Sequence, residues 1–409
     1  MSLSPPLRLA IIGAGPVGLS LAVHASRALP QADITLFDAR PAERDLSRDP
    51  RTLAISWGSV QLLQRLQAWP GEAAQPISHV HVSQVPPTWP WPGQGGPLEA
   101  LVQPKVELDA AGLGVPQLGA VLAYGPLVST LQAAWIQSVS REPQRLHARF
   151  GAPVVDLKSE PEGVEVDAGI AERFDVAVVA EGGVFADQAR KAVVRDYAQK
   201  AWVGQVTLEG GRSGWAFERF TRQGPLALLP LLPTASTSLA PHLQAALVWC
   251  VPSDDDAVAS MTAVQRMAVL NAQLPREAGR VVAITELKSF ALGLNAERTL
   301  VQGRRVCIGN AAQTLHPVAG QGFNLGLRDA FALVQALQFA PDVASALKRV
   351  EWQRAPDRWA LMATTDFLAR SFTWKGPGFG AARGLALALM DQFEPLKKSL
   401  ARQMMWGRR

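Results

Sequence analysis

Cysteine is nearly missing from this chain: its 409 residues include only Cys250 and Cys307, both inside apolar runs. A disulfide scaffold is not expected at this size, and two buried thiols in a reducing compartment are. No run approaches the roughly 18 uninterrupted apolar residues of a membrane-spanning helix. No charged stretch precedes the first apolar segment, and Gly13, Gly15 and Gly18 interrupt residues 9–23, where the core of a secretory leader would run. The expected location is the cytoplasm, with peripheral contact at the inner membrane as the alternative. Dense Lys/Arg blocks with interleaved aromatics are also absent, and the net charge is only +5, so nucleic acid is not an expected partner. The six histidines show no metal-ligand spacing; His79 and His81 merely alternate on an expected strand. No repeat of fixed period occurs.

What is present is a chain with 48% hydrophobic and 18% charged residues, enough for a sizeable core in two domains or one elaborated one. Leu9-Ala10-Ile11-Ile12 reads as a strand buried on both faces, and Ile34 to Phe37 as the next strand, ending at Asp38. Residues 58–68 read as a helix with Val60, Leu62, Leu63 and Leu66 inward. Strand signals crowd 200–250: Trp202 to Leu208, Trp215 to Phe220, Leu226 to Leu231 and Leu243 to Val251, with antiparallel character and short turns. Helical patterns return at 258–274 and dominate after 324, where Leu327, Phe331, Val334 and Leu337 read as helix core. Residues 84–97 carry five prolines and three glycines and are expected to be a loop, with Trp89 and Trp91 either tucked back onto the protein or part of a lid. Near the C-terminus, Lys397, Lys398, Arg402, Arg408 and Arg409 lie among Leu396, Leu400, Met404, Met405 and Trp406. That pattern fits an ordinary surface helix with a basic end, or an amphipathic helix contacting a membrane or partner.

Two glycine loops carry the chemistry. Gly13-Ala14-Gly15-Pro16-Val17-Gly18 sits between an expected strand and an expected helix, and Asp38 follows Gly18 by 20 residues at a strand end. This is the dinucleotide fingerprint: a tight turn, close approach of a pyrophosphate, backbone N–H groups at a helix start, and an acid for the adenosine ribose. It does not separate NAD from FAD. The segment GNAAQTLHPVAGQGFNLGLRDA, 309–330, does, because a second loop far along the chain suits a long ligand whose flavin end is remote from its adenine. Gly309-Asn310 would meet the ribityl chain, and a helix starting near Asn324 would point its positive end at the flavin pyrimidine, where reduction places negative charge.

On these residues, together with Arg51 to Ser56, Leu118-Gly119, Phe217 to Phe220, Gly224 to Leu231 and Val248-Trp249, the chain resembles the class A flavin monooxygenases, and within them the ubiquinone-biosynthesis hydroxylases. The resemblance spans most of the chain, and its most specific part is 309–330, with Asn310, Gln313 and Thr314-Leu315-His316-Pro317. It implies an α/β fold: a Rossmann-like FAD-binding domain of the para-hydroxybenzoate hydroxylase type, interrupted by an antiparallel β-sheet substrate domain and followed by a C-terminal helical segment. The expected boundaries are 1–76, 106–190 and 285–345 for the FAD domain, 77–105 and 191–284 for the β-rich domain, and 346–409 for the helical region.

The resemblance further implies non-covalent FAD, transient NADH or NADPH without a second nicotinamide fold, O2, and hydroxylation of an electron-rich phenol through a C4a-hydroperoxyflavin. The expected cofactor residues are Gly13, Gly15, Pro16, Val17, Gly18, Asp38, Ala39, Arg40, Arg51, Glu181, Gly182, Gly309, Asn310, Pro317, Gly320, Gln321, Gly322, Phe323 and Asn324. His316 and Pro317 are expected beside the isoalloxazine ring, His316 as a proton carrier or as a structural histidine. Arg51 is expected either at the flavin or paired with Asp49. Phe220, Leu228 and Pro230 are expected to roof the flavin and line an apolar substrate cavity, or to be sheet core. Two departures stand out: Glu181-Gly182 replaces the family's Asp-Gly, and 84–105 has the look of an insertion.

Three functions are compatible with these features. The first is hydroxylation of a polyprenylated ubiquinone precursor, with contact to a membrane or to a ubiquinone-biosynthesis complex. The second is hydroxylation of a small soluble phenol. The third is a non-catalytic flavin-fold component of such a complex, prompted by Glu181 and the basic C-terminal helix.

Overall fold

A computed structural model describes residues 6–85, 105–182, 189, 191–233, 242–316, 320–371, 387 and 389–407. The Trp89-Pro90-Trp91 stretch and Pro317 lie outside the described residues.

The N-terminal third contains β1 (Arg8–Ile12), α1 (Pro16–Ala28), β2 (Asp33–Asp38), β3 (Thr52–Ser56), α2 (Trp57–Arg65), β4 (Ala74–Ile77), β5 (His79–Gln84), β6 (Lys105–Asp109), β7 (Gly119–Ala123), α3 (Tyr124–Arg141) and β8 (Leu146–Phe150). The middle contains β9 (Asp156–Glu160), β10 (Gly163–Asp167), β11 (Ala171–Phe174), β12 (Val176–Val179), β13 (Val193–Glu209), β14 (Trp215–Phe220), β15 (Pro225–Leu231), β16 (Leu243–Pro252), α4 (Ala263–Gln273), β17 (Arg280–Ile284) and β18 (Lys288–Ala296). Then come β19 (Val301–Gln302), β20 (Arg305–Cys307), β21 (Gln313–Thr314), α5 (Gln321–Phe339), α6 (Val343–Ser371) and α7 (Glu394–Trp406).

Leu9, Ala10 and Ile11 are fully buried, as a strand covered on both faces requires, and β1 takes the centre of a six-stranded sheet ordered β19-β20-β12-β1-β2-β8. β1 pairs in parallel with β12 on one side and β2 on the other. The chain leaves β1 for β2 and returns much later on the opposite side, so a topological switch point opens at the carboxyl end of β1. α1, α3 and α5 contribute Leu19, Trp135 and Leu333 to the core against this sheet. Leu327 and Val334 are fully buried there, while Phe331 and Leu337 pack at its margin.

The second large sheet runs β21-β18-β13-β16-β15-β14-β5-β6, with β17 also paired to β13, and every strand expected between 200 and 250 is in it. One face holds Trp215, Phe217, Leu226, Leu228 and Trp249, buried with Leu270 of α4. Helix α4 starts later than its apolar pattern suggests. Thr262 caps it by accepting the Gln265 N–H, and the Gln265 side chain accepts from the Thr262 N–H in return. The opposite face meets α6 through Met362 and Ala369 at one end and β4, β7 and α7 through Ile77, Val121 and Met405 at the other.

Two expected domain boundaries move. Residues 288–296 form β18 inside the second sheet, zipped to β13 from Val193 to Val203, so the chain returns to the first domain after Ala296 and not at 285. Residues 105–109 likewise remain in that sheet as β6, paired with β5.

Candidate functional site

Three turns converge where the first sheet ends. Gly13, after β1, has φ +104°, and a Cβ there would lie 2.8 Å from the Cγ of Glu181, which follows β12. Only glycine fits on both counts. The next residue along, Gly182, faces Asn310 so closely that a side chain would collide with it. Gly309, after β20, has φ +60° and rests against the Val17 methyls. The sequence-expected residues Gly13, Val17, Glu181, Gly182, Gly309 and Asn310 are thus brought into one mouth.

Above that mouth there is space for a ligand. A Cβ on Gly15 would find only the Tyr124 hydroxyl, 3.8 Å away. Gly15 is the N-cap of α1 and Pro16 follows at its start, with no side chain capping the first turn. Such a helix end offers its N–H groups to an anion. Arg51 lies over the Tyr124 ring at 4.0 Å and adds positive charge nearby. Its guanidinium is already forked on Asp49 at 2.7–3.0 Å, the plain alternative considered for it.

Asp38 closes β2 and is nearly buried. Its carboxylate accepts the Ala14 N–H at 2.5 Å, the Arg40 N–H at 2.8 Å, and the Arg40 guanidinium at 2.9 and 3.0 Å. Burial pushes this carboxyl up, but the hydrogen bonds from Arg40 and Ala14 outweigh it and hold the group below the usual carboxylate range. All four of its acceptor positions are engaged, so a ribose hydroxyl bound there exchanges with Arg40. Ala39 is exposed beside the pair. Glu181 behaves oppositely: desolvation first, and the Asp38 charge second, raise its carboxyl.

The second loop brings α5 to the mouth. Gly320 caps α5 in the left-handed region at φ +58°, without a side-chain cap, and Gly322 faces open space. Gln321 is buried and Phe323 packs partly into the main core. Asn324 is committed internally. Its amide donates to the Ala54 and Gly320 carbonyls at 3.1 Å and accepts from the Ser56 N–H at 2.9 Å, so it fastens β3 to the helix start.

His316 is 2% exposed. Burial lowers its imidazole to about 4, so it is neutral at physiological pH. Its Nε2 lies 3.2 Å from the Gln199 Oε1, and the Tyr197 ring meets it edge-on. Sequence reading did not find Gln199 or Tyr124. Gln199 is 117 residues from His316 in the chain, and no local pattern marks it.

The pleat separates the three expected substrate residues. Phe217 pairs with Leu228 and Phe220 with Pro225, so Leu228 and Pro230 share the α4 face, whereas Phe220 points to the other. Leu228 is core beneath α4, the sheet-core alternative considered for it. The face turned toward His316 carries Phe220, Leu229, Val248 and Val203 instead.

A buried charge network holds the second loop. Asp329 of α5 accepts from Arg354 at 2.7 Å and from the Gln313 amide at 3.1 Å, and Gln313 accepts from Arg358 at 2.8 Å. Gln313 of the loop is thereby fixed to both α5 and α6.

Comparison with known proteins agrees with this geometry. An FAD-binding-domain family model matches residues 190–364. The chain is 28% identical to 3-demethoxyubiquinol 3-hydroxylase of Escherichia coli over 96% of its own length and 97% of that protein. It is also 28% identical to the ubiquinone hydroxylase UbiL of Rhodospirillum rubrum, over 97% of this chain and 88% of that one. In fold it matches Klebsiella pneumoniae HpxO, solved with FAD and uric acid, with a TM-score of 0.69 at 16% identity, covering 98% of this chain and 97% of that one. The open space at Gly15 and Gly322, beside two helix starts without side-chain caps, fits an extended dinucleotide. The chain is an FAD-dependent monooxygenase with FAD as its cofactor, and it is similar over nearly its whole length to hydroxylases named for ubiquinone and its precursors.

Proposed function

We propose that this enzyme hydroxylates the phenolic ring of a polyprenylated ubiquinone precursor, consuming O2 and electrons from NADH or NADPH. The observation that carries the reading is the joining of the cofactor mouth to an apolar sheet face. Leu315 packs against β13, β16 and β18 at one end of that face, and Ile77 and Val121 pack near Leu229 and Leu231 at the other. The start of α5 meets Ala54 of β3. The relatives named above act, by their names, on ubiquinone or its precursors and match over nearly the whole chain. The Thr314-Leu315-His316-Pro317 variant of the second loop resembles that of 2-polyprenyl-6-methoxyphenol hydroxylases.

When bound, FAD supplies the oxygen activation. The protein's residues do the rest. The α1 start, with Arg51 nearby, holds the diphosphate, and Asp38 holds the adenosine ribose. Glu181, Gly182, Gly309 and Asn310 border the ribityl chain. The α5 start at Gly320–Gly322 places its positive end toward the ring system, favouring negative charge there. Phe220, Leu229, Val203 and Val248 form the wall where a prenyl tail leaves water, at about 25 cal/mol per Å2 of apolar area buried. His316, neutral and buried, orients the phenol. Of the C-terminal set expected to contact a membrane or partner, Arg402 is exposed and Arg408 and Arg409 lie outside the described residues. Phe393 and Leu396 are exposed, but Lys397 and Lys398 are paired with Glu394.

The test is anaerobic flavin reduction by NADH and NADPH, with and without prenylated and unprenylated phenols, followed by product analysis. Acceleration by prenylated phenols and a hydroxylated product are expected. Acceleration by small phenols alone would transfer the activity to soluble substrates. A deletion strain with normal ubiquinone and no accumulated phenolic intermediate would overturn the pathway assignment.

A further inference from the structure

Helix α6 carries two tryptophans into water: Trp352 is 76% exposed and Trp359 43%. Seven residues apart, they stand about 20° from each other around the helix and about 10 Å apart along it, on one stripe. A ring of this size gains from leaving water, so two exposed in line mark a surface that something else covers. Between Lys348 and Trp359 the exposed positions are Lys348, Arg349, Trp352, Gln353, Pro356 and Trp359, with two cations and no acid among them.

The charge on α6 is one-sided. Its carboxylates are all engaged within the fold: Glu351 accepts the Leu300 and Val301 N–H groups at 2.7 and 3.2 Å, Asp357 pairs with Arg328 and Arg354 at 2.9 and 2.8 Å, and Asp366 pairs with Arg195. The exposed Asp342, just ahead of the helix, accepts from the Ser345 N–H and hydroxyl. Lys348 and Arg349, by contrast, form no ion pair among the described residues. Tryptophans beside unpaired Lys and Arg on one helix face suit an anionic lipid surface: the indoles settle at headgroup depth, and the long cationic chains reach the phosphates. A second copy fits less well. A two-fold contact on this stripe brings the same cations face to face, with no acid there to answer them.

We propose that the outer face of α6, from Lys348 to Trp359, docks on a membrane surface of anionic phospholipid. This face is separate from α7, where Lys397 and Lys398 are held by Glu394. The inner side of α6 places Met362 and Ala369 with Leu292 and Leu315 against the second sheet. On the hydroxylase reading, the lipid surface and the wall for the prenyl tail therefore lie on the outer and inner sides of one helix. The docking itself does not depend on that reading.

The test is sedimentation of the FAD-loaded, full-length protein with vesicles, which needs no substrate. Wild type is expected to sediment with vesicles of mixed phosphatidylglycerol and phosphatidylcholine, less so as salt rises, and not with phosphatidylcholine alone. Two double variants divide the surface by chemistry: Trp352→Ser with Trp359→Ser, and Lys348→Glu with Arg349→Glu. Each is expected to lower the partition by roughly tenfold or more while keeping the flavin absorbance and the unfolding midpoint of wild type. Lys398→Glu with Arg402→Glu, on α7, should leave the partition within about threefold, since that helix lies outside the proposed face. Wild type that stays in solution with the anionic vesicles overturns the proposal. So does a partition lost in the α7 variant and kept in both α6 variants. A dimer in gel filtration that the tryptophan variant converts to monomer also overturns it, and gives the face to a second copy.

Discussion

Gly326 and Gly309 meet backbone to backbone: a methyl group on Gly326 would lie 2.7 Å from the Gly309 Cα and 3.0 Å from a Val17 methyl. Helix α5 can approach the first glycine loop this closely only because neither partner carries a side chain. Gly326→Ala is expected to push α5 away from the mouth, costing about 1–3 kcal/mol as overpacking does. Denaturant unfolding, with and without FAD, should show the loss and a smaller stabilisation by cofactor than in wild type.

Asp38 provides a second test, by charge. Asp38→Asn keeps the shape but leaves the Arg40 guanidinium and the Ala14 N–H with a weaker acceptor. Weakening these buried hydrogen bonds should cost about 1–3 kcal/mol of folding stability, measured by urea unfolding at neutral pH. Because the folded carboxyl lies below its unfolded value, its contribution to stability is complete above about pH 4 and is lost as pH falls through the folded value. Asp38→Asn should flatten that acid limb in urea melts.

His316 titrates in the opposite chemical sense. Burial lowers it from its ordinary 6.5 to about 4, so between those values the unfolded chain takes up a proton that the folded chain refuses. Its contribution to stability is complete above pH 6.5 and falls away as pH drops toward 4. His24, lowered to about 4 by burial first and by Arg27 second, adds to the same slope. His316→Gln should remove one share of the slope and leave that of His24, measured by chemical denaturation from pH 7 to 4.

The Asp329–Arg354 pair is 0% and 7% exposed, which makes its two halves unequal to lose. Arg354→Met strands the Asp329 charge and should cost about 3–5 kcal/mol. The double change Arg354→Met with Asp329→Leu should recover much of that stability while loosening Gln313, which also hangs on Asp329. FAD retention through gel filtration separates the two effects.

Legibility in the sequence followed how local each feature is. The β1–α1–β2 unit was readable because every part of it, from Leu9 to Asp38, lies in one short stretch and obeys fixed spacing. The strands of the second sheet were readable from their composition. The face taken by Leu228 was not, because it depends on register with Phe217 and Leu247. The domain boundary near 285 failed for the same reason: β18 belongs where β13 pairs with it. Arg51 was ambiguous because its exposed position allows an ion pair with Asp49 as readily as a ligand contact. Gln199 left no trace, since its aim comes from a bulge that forms only when β13 meets β18.

The site is also latched from far along the chain. The Ser56 hydroxyl donates to the Met405 carbonyl, 349 residues away, and the Trp406 indole N–H donates to Gln61. Gly58 leaves α2 room for that same backbone, and Arg328 of α5 reaches Gly407. At about 5–20 residues per second, a ribosome needs roughly 17–70 s to travel from Ser56 to Met405. Both glycine loops and the α5 start are made before that clasp, so the β3 side of the mouth is the part of the site completed last, when α7 packs over α2.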